Sequence, residues 1–216
     1  MTAGLDALYP FLYSGAGDRD ATRAEVRSST AAKALDIVEL RSRVEVELGP
    51  AMIQAALAMA ERFRRGGRLY AFGNGGSSSD AQAVTQLFCT PPYGQPLPAV
   101  GLTADVATLT ALANDVGFEV VFARPIAAFG TPADIALGLS TSGGSENVLW
   151  ALEEAHRRGL LTVGLAGYEG GGMASLAESG VLDHLFVVPS SSVHRIQEAQ
   201  TTVYDVLWDL TQCALD

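Results

Sequence analysis

The chain has 216 residues, 48% of them hydrophobic and 18% charged, proportions that suit an ordinary globular domain and suffice for one sizeable core. A formal net charge of −10 with no cluster of Lys or Arg excludes a role that rests on attraction to nucleic acid. No apolar run reaches the roughly 18 residues a membrane helix requires, and the opening residues are polar and acidic rather than basic then apolar, so a cytoplasmic protein without a membrane partner is expected.

In chain order, residues 1–20 set apolar Leu8, Tyr9, Phe11, Leu12 and Tyr13 around Pro10 and then turn-forming Gly15, Gly17 and Asp18, which reads as a docking arm. From Ala21 to Leu48 the residues favour helix, with Ala32, Leu35, Ile37, Val38 and Val44 at roughly helical spacing. Gly49 and Pro50 then interrupt the pattern and suit the first turn of a second helix reaching Arg65. Short apolar runs follow at Arg68–Phe72, Pro98–Leu102, Asp134–Leu139, Leu161–Ala166 and His184–Val188, separated by helix-length segments. Near-continuous apolar strands of this kind predict a five-stranded parallel sheet covered on both faces, a three-layer α/β fold. A final helix is predicted over about Val193–Ala214, and residues 21–216 read as a single domain with two N-terminal helices. Cys89 and Cys213, far apart and in no metal or redox spacing, are expected to be buried, reduced thiols.

Two loops carry the chemistry. The first, Gly73-Asn74-Gly75-Gly76-Ser77-Ser78-Ser79-Asp80, joins the first strand to a helix over Ala81–Phe88, where glycines permit tight turns and helix-opening amides face an anion. It matches neither the phosphate-loop lysine pattern nor the dinucleotide fingerprint. The second, Ser140-Thr141-Ser142-Gly143-Gly144-Ser145, collects four hydroxyls at the positive end of a helix starting near Glu146. One hydroxyl suffices to cap a helix, and four exceed that need. Both loops lie beyond the carboxyl ends of strands, where open parallel sheets bind ligands.

These stretches, with Asn114-Asp115 ahead of Gly117-Phe118 and with Arg195-Ile196-Gln197-Glu198, resemble in order and spacing the phosphoheptose isomerase branch of the SIS (sugar isomerase) proteins over about residues 50–215. The branch also holds an initiator-associating protein of bacterial replication that works by protein contact. The resemblance implies a flavodoxin-like doubly wound sheet, a homotetramer, and sugar-phosphate sites shared between neighbouring subunits. By similarity Ser140, Thr141, Ser142 and Ser145 hold the phosphate, while Asn74, Gly75, Ser77, Asp105 and Gln197 meet the rest of the sugar.

The chain departs from the family where the chemistry is done. The active isomerases carry a His and a Glu four residues apart on the helix after the Gly-rich loop, and a Gln and a His eight apart on the last helix, together binding zinc. The matching positions here are Ala83, Leu87, Gln197 and Asp205. Ala and Leu offer zinc nothing, so no metal or other cofactor is expected and the usual mechanism does not carry over. His194, standing before Arg195 where the family often has Asp, is the candidate base, with Glu198, Asp205 and Glu146 as partners. Three readings follow: a phosphosugar-binding protein acting as a sensor, regulator or assembly partner, its arm available to a protein; a metal-free ketose-aldose isomerase on sedoheptulose 7-phosphate or a related sugar; or a structural paralogue whose loops only cap helices.

Overall fold

The computed structural model describes residues 19–216, so the arm expected at the N-terminus lies, as far as residue 18, outside the described residues. Strands β1 (Leu69–Gly73), β2 (Ala99–Gly101), β3 (Ile135–Leu139), β4 (Leu161–Ala166) and β5 (His184–Val187) form one sheet in the order β2-β1-β3-β4-β5, every neighbouring pair parallel. This is the doubly wound order of the flavodoxin-like folds. β1, β3 and β4 are buried at every residue, which explains why they read as unbroken apolar runs rather than alternating ones.

The helices are α1 (Arg19–Arg64), α2 (Gly76–Cys89), α3 (Val106–Asp115), α4 (Ala123–Phe129), α5 (Glu146–Arg157), α6 (Gly171–Glu178) and α7 (Val193–Leu215). On one face Tyr70 and Phe72 join Phe122, Ile126, Val148 and Leu152 in the main core, built with α4 and α5. On the other face α2 packs on β1 and β3, and α7 on α2 and β4.

The two expected N-terminal helices are one. α1 runs through Pro50, although proline deletes the amide that would bond the Val46 carbonyl. Buried Leu40, Val44, Met52, Ala55, Ala56, Met59 and Phe63 keep one helical register on both sides of Pro50, and their common burial holds the axis continuous across the missing bond. The chain divides into a unit ending at Val38 and a unit of Glu39–Asp216; in the first, residues 20–35 are exposed, Val26 and Leu35 among them. Among the described residues no helix is long and apolar enough to cross a membrane.

The expectation of buried thiols fails as well. Cys89 and Cys213 are free and exposed, Cys89 because it closes α2, where its thiol reaches the Ala99 carbonyl at 3.3 Å, and Cys213 because it sits on the outer side of α7.

Candidate functional site

From β1 the chain crosses to β2 on one side of the sheet, whereas β3 leads to β4 on the other, so the loops after β1 and β3 part at a crevice over the carboxyl ends of adjacent strands. Both predicted loops lie there. They are clasped together by a reciprocal amide pair: Asn74 Nδ2 donates to Asn147 Oδ1 at 2.8 Å and Asn147 Nδ2 donates to Asn74 Oδ1 at 2.9 Å. Asn147, in the first turn of α5, is buried at 3% exposure, while Asn74 is half-buried.

The serine loop differs from an ordinary capped helix. Ser145 occupies the N-cap position of α5, yet no side chain caps the helix there. Its hydroxyl instead lies 3.0 Å from the hydroxyl of buried Ser140, which is 3.5 Å from that of Ser142. Ser142 Oγ accepts the Gly144 amide at 3.2 Å, and Thr141, half-buried, accepts the Gly167 amide on its carbonyl at 3.0 Å. The result is three linked hydroxyls at the start of a 12-residue helix, a place that favours negative charge through its open amides and dipole.

A third loop, after β4, buttresses the second. Gly143 has φ +66°, a left-handed conformation that glycine adopts freely, and a Cβ built on it would collide with the Gly170 carbonyl. Gly143 in turn accepts the Met173 amide of α6 at 3.0 Å on its own carbonyl. The Gly170–Gly172 run thus fits flush against the serine loop.

Gln197, one turn into α7, lies against Gly76 so closely that a Cβ there would strike its amide nitrogen, which ties the last helix to the first loop. Ser77 is buried beneath that loop and Gly75 is exposed at its crest. Asp105 stands apart in role: it caps α3, accepting the Thr108 amide at 3.0 Å and the Thr108 hydroxyl at 2.6 Å. Those bonds, the hydroxyl first, hold its carboxyl below the ordinary aspartate value. His194 is exposed, with no hydrogen-bond partner among the described residues, and Glu198 is engaged by Arg195 on the same helix.

Sequence reasoning missed Asp80. Half-buried in α2 just past its first turn, it faces α7, where Gln197 offers it a hydrogen bond, and its Oδ2 is buried without a partner. Burial pushes its carboxyl above the ordinary value, against that bond from Gln197, and Tyr204's own burial, with the charges of Asp80 and Asp205 and against a bond with Thr201, raises the phenol of Tyr204. Gln197, Gln200 and Tyr204 recur at helical spacing on α7, and the amide of fully buried Gln200 is also unpartnered. Asn147 was missed for a different reason: nothing local pairs it with a side chain 73 residues earlier.

The donor set does not fit zinc. Ala83 and Leu87 carry no ligand atom, the carboxyl of Asp205 is raised by burial and then by the charge of Asp209 against that of Arg41, and among the described residues no three His, Cys, Asp or Glu side chains group as a metal site.

Residues 34–167 match the family model described as SIS domain. The phosphoheptose isomerase of Aquifex aeolicus is 39% identical over 163 residues, 74% of this chain and 83% of that protein, and the one from Pelobacter propionicus is 41% identical over 171 residues, 78% and 88%. Among solved structures, a phosphoheptose isomerase from Francisella tularensis superposes with a TM-score of 0.81 at 34% identity, covering 87% of this chain and 98% of that one. One from Neisseria gonorrhoeae gives 0.79 at 33%, covering 88% and 98%.

Proposed function

Because the chain belongs to the SIS-domain family, in the branch of the phosphoheptose isomerases, we propose that it is a phosphosugar isomerase-like protein whose Ser140–Ser145 loop holds the phosphate of a sugar phosphate without zinc. The observation that carries this reading is the Ser145 hydroxyl, which leaves its helix uncapped and turns to Ser140 instead. A loop kept only to cap a helix has no use for that arrangement, whereas a dianion has: it accepts from hydroxyls and helix-opening amides, and it needs no Lys or Arg. Asn74, Gly75, Ser77 and Gln197 then meet the sugar's hydroxyls from the first loop and α7, with Asp105 bringing a carboxylate that its Thr108 bonds keep ionised.

With no zinc donors at positions 83 and 87, the output of binding is assigned to regulation or assembly of a cytoplasmic homotetramer, with residues 1–20 as the arm toward a protein partner. A second reading, metal-free ketose-aldose isomerisation, draws on Asp80. Its half-buried carboxyl, with an unpartnered oxygen beside Gln197, is a better-placed proton carrier than exposed His194 or the Arg195-bound Glu198.

The test incubates the pure protein with sedoheptulose 7-phosphate, with and without zinc and chelator, and reads product formation and thermal stability together. Stabilisation without turnover supports the binding reading, because a ligand of the native state raises its stability by mass action. Turnover that survives chelation selects the second reading and then Asp80→Asn, which removes it. Turnover that needs zinc overturns both, and no stabilisation by any sugar phosphate refutes the phosphate loop.

A further inference from the structure

Among the described residues, positive φ angles fall on nine glycines and on one other residue, Tyr168, at +52°. For a tyrosine that region is strained, because the Cβ crowds the following carbonyl, and glycine escapes the cost. Tyr168 is the first central residue of a turn over residues 167–170, closed by the Gly170 amide on the Gly167 carbonyl at 2.9 Å. Glu169 follows at negative φ, so the signs are those of a type II′ turn, whose first central place glycine usually takes. Residues 167, 170, 171 and 172 are all glycine, yet the place that calls for glycine most holds tyrosine.

The turn is pinned from both sides, and the pins place it at the candidate site. Gly167 donates its amide to the Thr141 carbonyl in the serine loop at 3.0 Å. Tyr168 donates its own to the Ser190 carbonyl at 3.0 Å, in the segment that leads through the N-cap Ser192 into α7. Tyr168 therefore stands just past the carboxyl end of β4, on the flank of the serine loop away from β1 and Asn74. The fold makes little use of its side chain: Tyr168 is 40% exposed, lies outside the main core, and its phenol has no hydrogen-bond partner among the described residues. Strain that the fold neither needs nor offsets is found where a side chain has to be presented to a ligand.

We propose that Tyr168 is a further ligand-binding residue, its phenol donating a hydrogen bond to the phosphate at the Ser140–Ser145 loop from the flank opposite Asn74. This rests on the sugar-phosphate reading and adds which part of the ligand Tyr168 recognises. The strand order decides that part: β3 lies between β1 and β4, so a sugar that reaches Asn74 in the β1 loop extends away from Tyr168 and leaves it the phosphate. A hydroxyl bonded to a dianion forms a charge-assisted bond, stronger than one to a sugar hydroxyl.

The experiment titrates the full chain by calorimetry with sedoheptulose 7-phosphate and with inorganic phosphate, at about pH 8, where both are dianions. Tyr168→Phe keeps the ring and the strain and removes only the hydroxyl, so it is expected to raise the Kd of both probes by about ten-fold. Tyr168→Gly is expected to lose affinity to the same degree, with an unliganded Tm equal to or above that of wild type because glycine relieves the backbone. Glu169→Gln, at the exposed next residue of the turn, is expected to weaken neither probe. Wild-type affinity in Tyr168→Phe, a loss confined to the sugar phosphate, or no binding of inorganic phosphate by about 50 mM overturns the assignment. So does a lowered Tm in Tyr168→Gly, or a loss in Glu169→Gln equal to that in Tyr168→Phe. Failure of the wild-type chain to bind either probe refutes the phosphate loop and Tyr168 with it, whereas binding that Ser142→Leu abolishes and Tyr168→Phe leaves intact refutes Tyr168 alone.

Discussion

Replacing Asn74 by Ala tests whether the two loops are held as one site. The substitution deletes the hydrogen bonds of 2.8 and 2.9 Å and strands the amide of Asn147, which is 3% exposed and has no route to water. Each bond contributes about 1 kcal/mol net, and a stranded buried amide costs about 1–3 kcal/mol, so with overlap between these effects the variant should lose about 2–3 kcal/mol. For a chain of this size that is a fall of about 5–10 °C in Tm. Asn147→Ala leaves the half-buried Asn74 free to turn toward water but opens a small void, so the two single losses differ in origin. Urea unfolding of both single variants and the double variant, followed by circular dichroism, should return a coupling of about 1–2 kcal/mol, the double costing less than the sum. Thermal stabilisation by sedoheptulose 7-phosphate should fall in all three. Additive losses, with coupling under about 0.5 kcal/mol, or undiminished ligand stabilisation in Asn74→Ala, would refute the clasp.

Other outcomes follow from the same geometry. Ser142→Leu, at an exposed loop position, should abolish stabilisation by a sugar phosphate with the unliganded Tm unchanged, and retained stabilisation in thermal-shift assays would place the phosphate elsewhere. Gly143→Ala combines a left-handed backbone with a collision between two backbones, so it should cost about 2–4 kcal/mol, and a wild-type Tm would show that the third loop does not buttress the second. Asp80→Asn should change the pH dependence of stability. A carboxyl whose folded pKa is raised contributes stability that is present below its unfolded value and lost as pH rises through the folded value. The gap in Tm between Asp80→Asn and wild type should therefore widen in favour of Asn from about pH 4 toward pH 8, and a gap constant with pH would remove the burial argument for Asp80.

The sheet was legible because strands buried on both faces spell unbroken apolar runs, and Leu69–Gly73, Ile135–Leu139 and Leu161–Ala166 are of this kind. The continuous first helix was not, because Gly49-Pro50 carries a local signal for a break. What overrules that signal is tertiary: Val44 and Met52 are buried on either side of it. Exposed Cys89 and Cys213 were misread for the converse reason, since a thiol's burial depends on which side of its helix faces the core and no local pattern announces it.

The site divides along the same line. The proposed phosphate site is made of backbone amides and hydroxyls contiguous in the chain, so Ser140–Ser145 announces itself as a string, and the structure adds only that Ser145 turns from its helix to Ser140. Proton chemistry rests on side chains gathered from distant elements, as with Asp80 on α2 facing Gln197 and Tyr204 on α7, and no string contains them. That Ala83 and Leu87 offer no metal ligand was visible at once, whereas the half-buried carboxyl of Asp80, one turn before Ala83, emerged only when α2 and α7 were brought together. The two halves of the site can thus be lost separately. A chain can keep the contiguous half, and with it affinity for a phosphorylated sugar, after the dispersed half has changed its chemistry, and for that reason binding and turnover have to be measured in the same sample.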